Sequence, residues 1–215
     1  MPTAMTFTSL QEDIRRYIER GNFSDTQVFD QIPRLINNAE REIAKDIKLQ
    51  GFIQVVSSDL IIGTSVYQKP DRWRETISMS FGIGEDLNER TFLFARSYEY
   101  CRSYWPNSNL RSQPEFYADY QYSHWLIVPT PVQTYPWEVL YYELPALLDQ
   151  VNQTNWLTDY DPVLILNRAL METFLFLKQP DQAAAWEAKY RGSLGNVDKQ
   201  DLEKVVDRTT SRQRP

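Results

Sequence analysis

The chain reads as an α+β protein: mainly an α-helical bundle made from its N- and C-terminal zones, with a β-rich antiparallel insertion in the middle. Three observations predict this. Apolar residues recur at helical spacing over residues 8–50 and again over 155–192. Between them, over 52–144, Gly, Pro, Tyr, Trp and β-branched residues cluster and the period shifts toward two. Connections there are short and no helices alternate with strands, which predicts antiparallel pairing. The whole of 1–215 is expected to be one domain, with 193–215 as a C-terminal docking segment.

Taken in order, Thr8 and Gln11 form a plausible capping box, followed by Leu10, Ile14, Tyr17 and Ile18, with Gly21 as the stop. Thr26–Asp30 is a separate turn. A second helix starts near Gln31–Pro33 and carries Ile36, Ala39, Ile43 and Ile47, with Glu40, Arg41, Lys45 and Lys48 on other faces. Strands are predicted at Phe52–Leu60, Val66–Lys69, Glu75–Ile83, Arg90–Ala95, Trp125–Val128 and Glu138–Glu143. Ile77, Met79 and Phe81 alternate with Thr76, Ser78 and Ser80, as a strand with one buried face requires. Ser97–Tyr104 reads as a short helix ended by Pro106. Asp161-Pro162 starts a helix through capping carboxylate and first-turn proline, and the residues after it are apolar nearly all round. Pro180 opens another helix through Trp186 to Tyr190, closed by Gly192, and 198–207 can form a third.

Composition excludes several classes of function. With 23 basic and 29 acidic residues the net charge is -6, unsuited to gripping nucleic acid by its phosphates. One cysteine, Cys101, permits no intrachain disulfide. One histidine, His124, leaves the chain short of ligands for a zinc site of the usual His/Cys type, and no triad motif surrounds it. No cofactor is implied. The N-terminus has no signal-peptide pattern and no apolar run approaches a membrane span, so a soluble protein made in a cytoplasm, with no membrane partner, is expected.

The segment from Pro114 to Leu148 carries a resemblance. It reads Pro114-Glu115-Phe116-Tyr117, then Trp125-Leu126-Ile127-Val128-Pro129-Thr130-Pro131, then Val139-Leu140-Tyr141-Tyr142-Glu143-Leu144-Pro145. Leu147-Leu148, Thr154-Asn155-Trp156-Leu157 and the helix start at Asp161-Pro162 follow. With the early helix Ile32–Ile43, this order resembles the head-to-tail adaptor (connector, head completion) proteins of short-tailed bacteriophages, over roughly residues 8–190. The resemblance implies a structural virion protein at the neck, assembled in the host cytoplasm. It implies a homo-oligomeric ring, usually of twelve copies, beneath the portal protein. That ring would extend the channel through which genomic double-stranded DNA passes without specific binding, and would offer a docking surface to the tail or nozzle protein.

Candidate protein contacts are few. Tyr141 and Tyr142 are adjacent in a strand and point to opposite faces, so at most one belongs to the core and the other is either an interface residue or merely an exposed tyrosine. Arg208, Arg212 and Arg214 crowd an acid-free C-terminus and suit portal carboxylates, or simply a solvated end. Two other classes of function compete. Helices at Ala169–Leu177 and Ala183–Tyr190 resemble one unit of a protein-binding scaffold without a channel. Acids at Glu85-Asp86, Asp149 and Asp159–Asp161, together with the tryptophans, suit a virion-associated carbohydrate hydrolase; any chain with 29 acids offers such coincidences.

Overall fold

The computed structural model describes residues 5–46, 50–83 and 89–206, with the side chains of 50 and 196–206 left aside. The chain divides into two compact units, Met1–Phe52 with Leu144–Pro215, and Ile53–Glu143.

The first unit is helical. Its helix α1, Phe7–Ile18, begins because the apolar stripe Phe7, Leu10, Ile14 and Ile18 must enter the core from its first residue. The cap therefore falls at Thr6, not Thr8: Thr6 Oγ1 accepts from the Ser9 amide at 3.1 Å and Ser9 Oγ accepts from the Thr6 amide at 2.8 Å. Thr8 donates instead to Gln153 Oε1. The helix ends at Glu19, which takes a left-handed conformation, and Tyr17, expected inside, is exposed with its ring edge-on to Trp186. The short α2, Thr26–Phe29, leads to α3, Ile32–Asp46, which buries Ile32, Leu35, Ile36, Ala39, Ile43 and Ala44.

After the second unit, α5 (Trp156–Tyr160) and α6 (Pro162–Phe176) return to this core. Asp161 caps the Leu164 amide at 3.2 Å, and Pro162 occupies the first turn. Helix α6 packs on α1, α3, α5 and α7 (Pro180–Val206). It is not apolar-and-buried all round, as expected from its residues: Val163, Leu175 and Phe176 are exposed. Nor does Gly192 close the last helix. A glycine within a helix costs only about 1 kcal/mol against alanine, and α7 continues through it to Val206.

The second unit is a sheet, and it overturns the expectation of a mainly helical protein. Seven strands run in the order β1-β9-β3-β4-β6-β7-β2 and curl into a half-barrel, so the fold is mixed, with the sheet a core-forming unit rather than a decoration on a bundle. They are β1 (Ile53–Leu60), β2 (Val66–Gln68), β3 (Trp73–Gly82), β4 (Arg90–Ala95), β6 (Phe116–Gln121), β7 (His124–Val128) and β9 (Tyr135–Glu143). Strands β5 (Arg111–Ser112) and β8 (Thr130–Pro131) form a separate two-residue ribbon. Two pairings, β4 with β6 and β5 with β8, are parallel. The antiparallel expectation missed the first because α4, Tyr98–Tyr104, acts as a crossover between β4 and β6.

Sequence alternation works where the register is regular and fails where it is not. Met79 and Phe81 are fully buried, but Ile77 is exposed, because the register of β3 with β9 slips between Thr76 and Ser78. The concave core is aromatic: Phe81, Tyr117, Trp125, Tyr135, Trp137 and Tyr141 join Leu60, Met79, Leu93, Ile127 and Val139. A smaller cluster of Cys101, Ala118, Leu126 and Val128 holds α4 against the other side of β6 and β7.

Candidate interaction surfaces

Aromatic residues, some packed on the smaller cluster and some left exposed, gather around α4. Ser97 caps this helix by accepting from the Tyr100 amide, and buried Cys101 anchors it. Tyr100 and Tyr104 stay exposed: Tyr100 meets Tyr104 at 4.9 Å and Phe116 at 5.9 Å, while Trp105, packed with Phe116 on the smaller cluster, meets both Tyr104 and Phe116. Phe116 lies beside Phe94 in the parallel register, and Phe92 stands two residues along β4 on the same face. Phe94 is 64% exposed and Phe92 53%. The Arg96 guanidinium sits over the Tyr100 and Phe116 rings. Contiguous exposed apolar surface of this kind, with aromatic and Arg side chains, is what protein interfaces use.

Tyr141 and Tyr142 sit side by side on β9. Tyr141 is buried in the aromatic core, with its hydroxyl pKa raised by that burial, and Tyr142 is partly exposed on the opposite face. Neither belongs to the strip around α4. Arg208, Arg212 and Arg214 lie outside the described residues.

Each unit also holds a buried side chain of ionisable type. In the sheet, Lys69 is 2% exposed: its ammonium donates to Asp119 Oδ1 at 2.7 Å and lies 3.4 Å from the Trp73 ring centroid. In the helical unit, Glu40 is fully buried on α3, not on an outer face as its polarity suggests. Its carboxyl accepts from the Leu148 amide at 3.1 Å and from Asn155 Nδ2 at 2.5 Å. The Asn37 amide donates to the same carboxyl and to Leu148 O. Burial pushes the Glu40 pKa up to about 7, against these donors and the nearby Arg41 charge, which favour the ionised form. Sequence periodicity could not reveal either residue, since both read as solvent-facing polar positions.

Chemistry is sparse by comparison. His124 Nδ1 lies 2.9 Å from Ser123 Oγ, and burial pushes the Cys101 thiol pKa up. Among the described residues no three His, Cys, Asp or Glu side chains are grouped to hold a metal ion. Among the same residues no helix is long and apolar enough to cross a membrane.

A family model described as "SU10 adaptor protein" matches residues 5–215, which takes in both units. The chain belongs to the SU10 adaptor protein family. It is a phage head-to-tail adaptor, a structural protein of the virion's head–tail junction, and SU10 is a phage of the short-tailed type. No curated protein matches the adaptor.

Proposed function

We propose that the adaptor assembles head to tail as a ring of twelve copies between the portal and the tail protein, extending the DNA channel and offering the tail a docking surface. The observation that carries this reading is the family match over residues 5–215. A ring needs two different, complementary patches on each copy, because heterologous contacts that close generate cyclic assemblies. The strip of Phe92, Phe94, Tyr100 and Tyr104 supplies one of them, since large aromatics carry most of the energy at well-packed contacts. The net charge of -6 suits a wall past which DNA slides, because each phosphate held by Lys or Arg would add affinity and slow ejection. Arg208, Arg212 and Arg214 are assigned to portal carboxylates, and Tyr142 to a neighbouring chain.

Native mass measurement with purified portal tests the reading. A multi-copy ring is the expected product, and a one-to-one complex sinks it. Phe92→Asp with Phe94→Asp should leave the circular dichroism unchanged, since both rings are exposed, and abolish ring formation. Removing residues 207–215 should weaken portal docking and spare the ring.

A further inference from the structure

The half-barrel has a seam. Strands β1 and β2 follow one another in sequence, joined by residues 61–65, yet they occupy opposite edges of the seven-stranded sheet and do not pair. Both line one cleft of about 450 Å³, with Val56 and Ser58 on one wall and Tyr67, Gln68 and Lys69 on the other. Trp125 and Trp137 lie beneath it, both buried. Ser58 faces the same side of β1 as buried Leu60 and is nevertheless exposed, so the cleft reaches solvent there. At the closed end, the Tyr67 hydroxyl shares its one proton between Ile61 O at 3.1 Å and Thr64 O at 3.0 Å, which pins the turn.

Edge strands are normally guarded by lysine, proline or a bulge, because their unpaired N–H and C=O groups template another strand. Strand β1 has no such guard: Ile53-Gln54-Val55-Val56-Ser57-Ser58-Asp59-Leu60 contains neither lysine nor proline, and its register with β9 runs unbroken. We propose that the seam between β1 and β2 is an acceptor for one extended segment of a different protein, which pairs with β1 and sets apolar side chains against the partly buried Val56 and Tyr67. Charge selects the occupant. Asp71 lines the mouth and Asp59 stands on β1, both exposed, and neither has an ion-pair partner among the described residues. The Lys69 cation is already taken by Asp119. A segment with a basic flank fits this mouth, whereas β1 of a second copy, with its own Asp59 and no Lys or Arg, brings like charge to it. The inference stands on strand order and charge alone and is independent of the adaptor reading.

The test uses the full chain and a ten-residue peptide alternating Val and Thr and ending in two arginines. Hydrogen exchange along β1 should slow at least tenfold with the peptide, and Trp fluorescence should shift. The same peptide ending in two glutamates should bind at least tenfold more weakly. Unchanged β1 exchange at millimolar peptide, or equal affinity for both peptides, overturns the proposal. So does β1 protection that grows with protein concentration alone, which would assign the seam to self-association. Ser58→Trp should fill the cleft and abolish binding; Asp71→Lys, at an exposed position, should reverse the charge preference without touching the core.

Discussion

The helical unit and the sheet unit each take a charge-bearing side chain out of water, and they compensate it differently. Lys69 meets an opposite charge, Asp119, and the face of Trp73. Glu40 meets neutral donors from Leu148, Asn155 and Asn37. An opposing charge helps offset desolvation directly. Neutral donors offset less, so the Glu40 carboxyl is left with a pKa of about 7 and the stability of the helical unit is tied to pH. The sheet further invests in aromatic mass around its charge, whereas the helices surround theirs with aliphatic side chains and a loop.

The comparison breaks most severely at Trp125, which is fully buried, meets Trp73 and Trp137 edge-on and donates to Thr76 Oγ1 at 3.0 Å. Trp125→Ala should destabilise the protein by about 4 kcal/mol in urea titration, with loss of near-ultraviolet circular dichroism; a loss below 1 kcal/mol would mean the aromatic core is loosely packed. The next effect is in pH. Because the folded pKa of Glu40 is raised from 4.5 to about 7, folding binds a proton in that window. The contribution of Glu40 to stability is fully present below pH 4.5 and is lost as pH rises through 7, by about 3 kcal/mol. Glu40→Gln should flatten that slope; a slope that persists in the variant assigns it elsewhere.

Asp119→Asn should cost about 2 kcal/mol, below the range for breaking a fully buried pair, because Asp119 is itself 64% exposed while Lys69 keeps the Trp73 face. High salt should leave this cost nearly unchanged in a thermal melt. The smallest effect is expected from Asn155→Ala, about 1 kcal/mol for the lost cap of α5. Since Asn155 also donates to Glu40, its loss should move the pH transition further upward.

Much of the local structure is legible without coordinates. Asp161-Pro162, Ser97 and the Ile36, Ala39, Ile43 spacing locate α6, α4 and α3, because caps and short-range periodicity act within a few residues. Long-range choices are not written locally. That β4 pairs in parallel with β6, that β1 lies beside β9, and that a middle zone outgrows the role of an insertion depend on which distant strands meet. Strand Phe116–Gln121 was missed because its charged and polar residues mask the alternation. The candidate surfaces divide the same way. The opposite orientation of Tyr141 and Tyr142 follows from the strand period, whereas the strip around α4 exists only once the crossover sets Phe94 beside Phe116. Lys69 and Glu40 defeat any polarity scale, since their burial depends on partners 50 and 115 residues away.

The pairing of Ile53 with Tyr142 means that the chain leaves the sheet unit beside the place where it came in. A segment of some ninety residues can therefore be excised or swapped for another of similar footing at the cost of bridging one interstrand spacing, about 5 Å. Closely spaced ends of this kind are what a tolerated domain insertion or exchange requires.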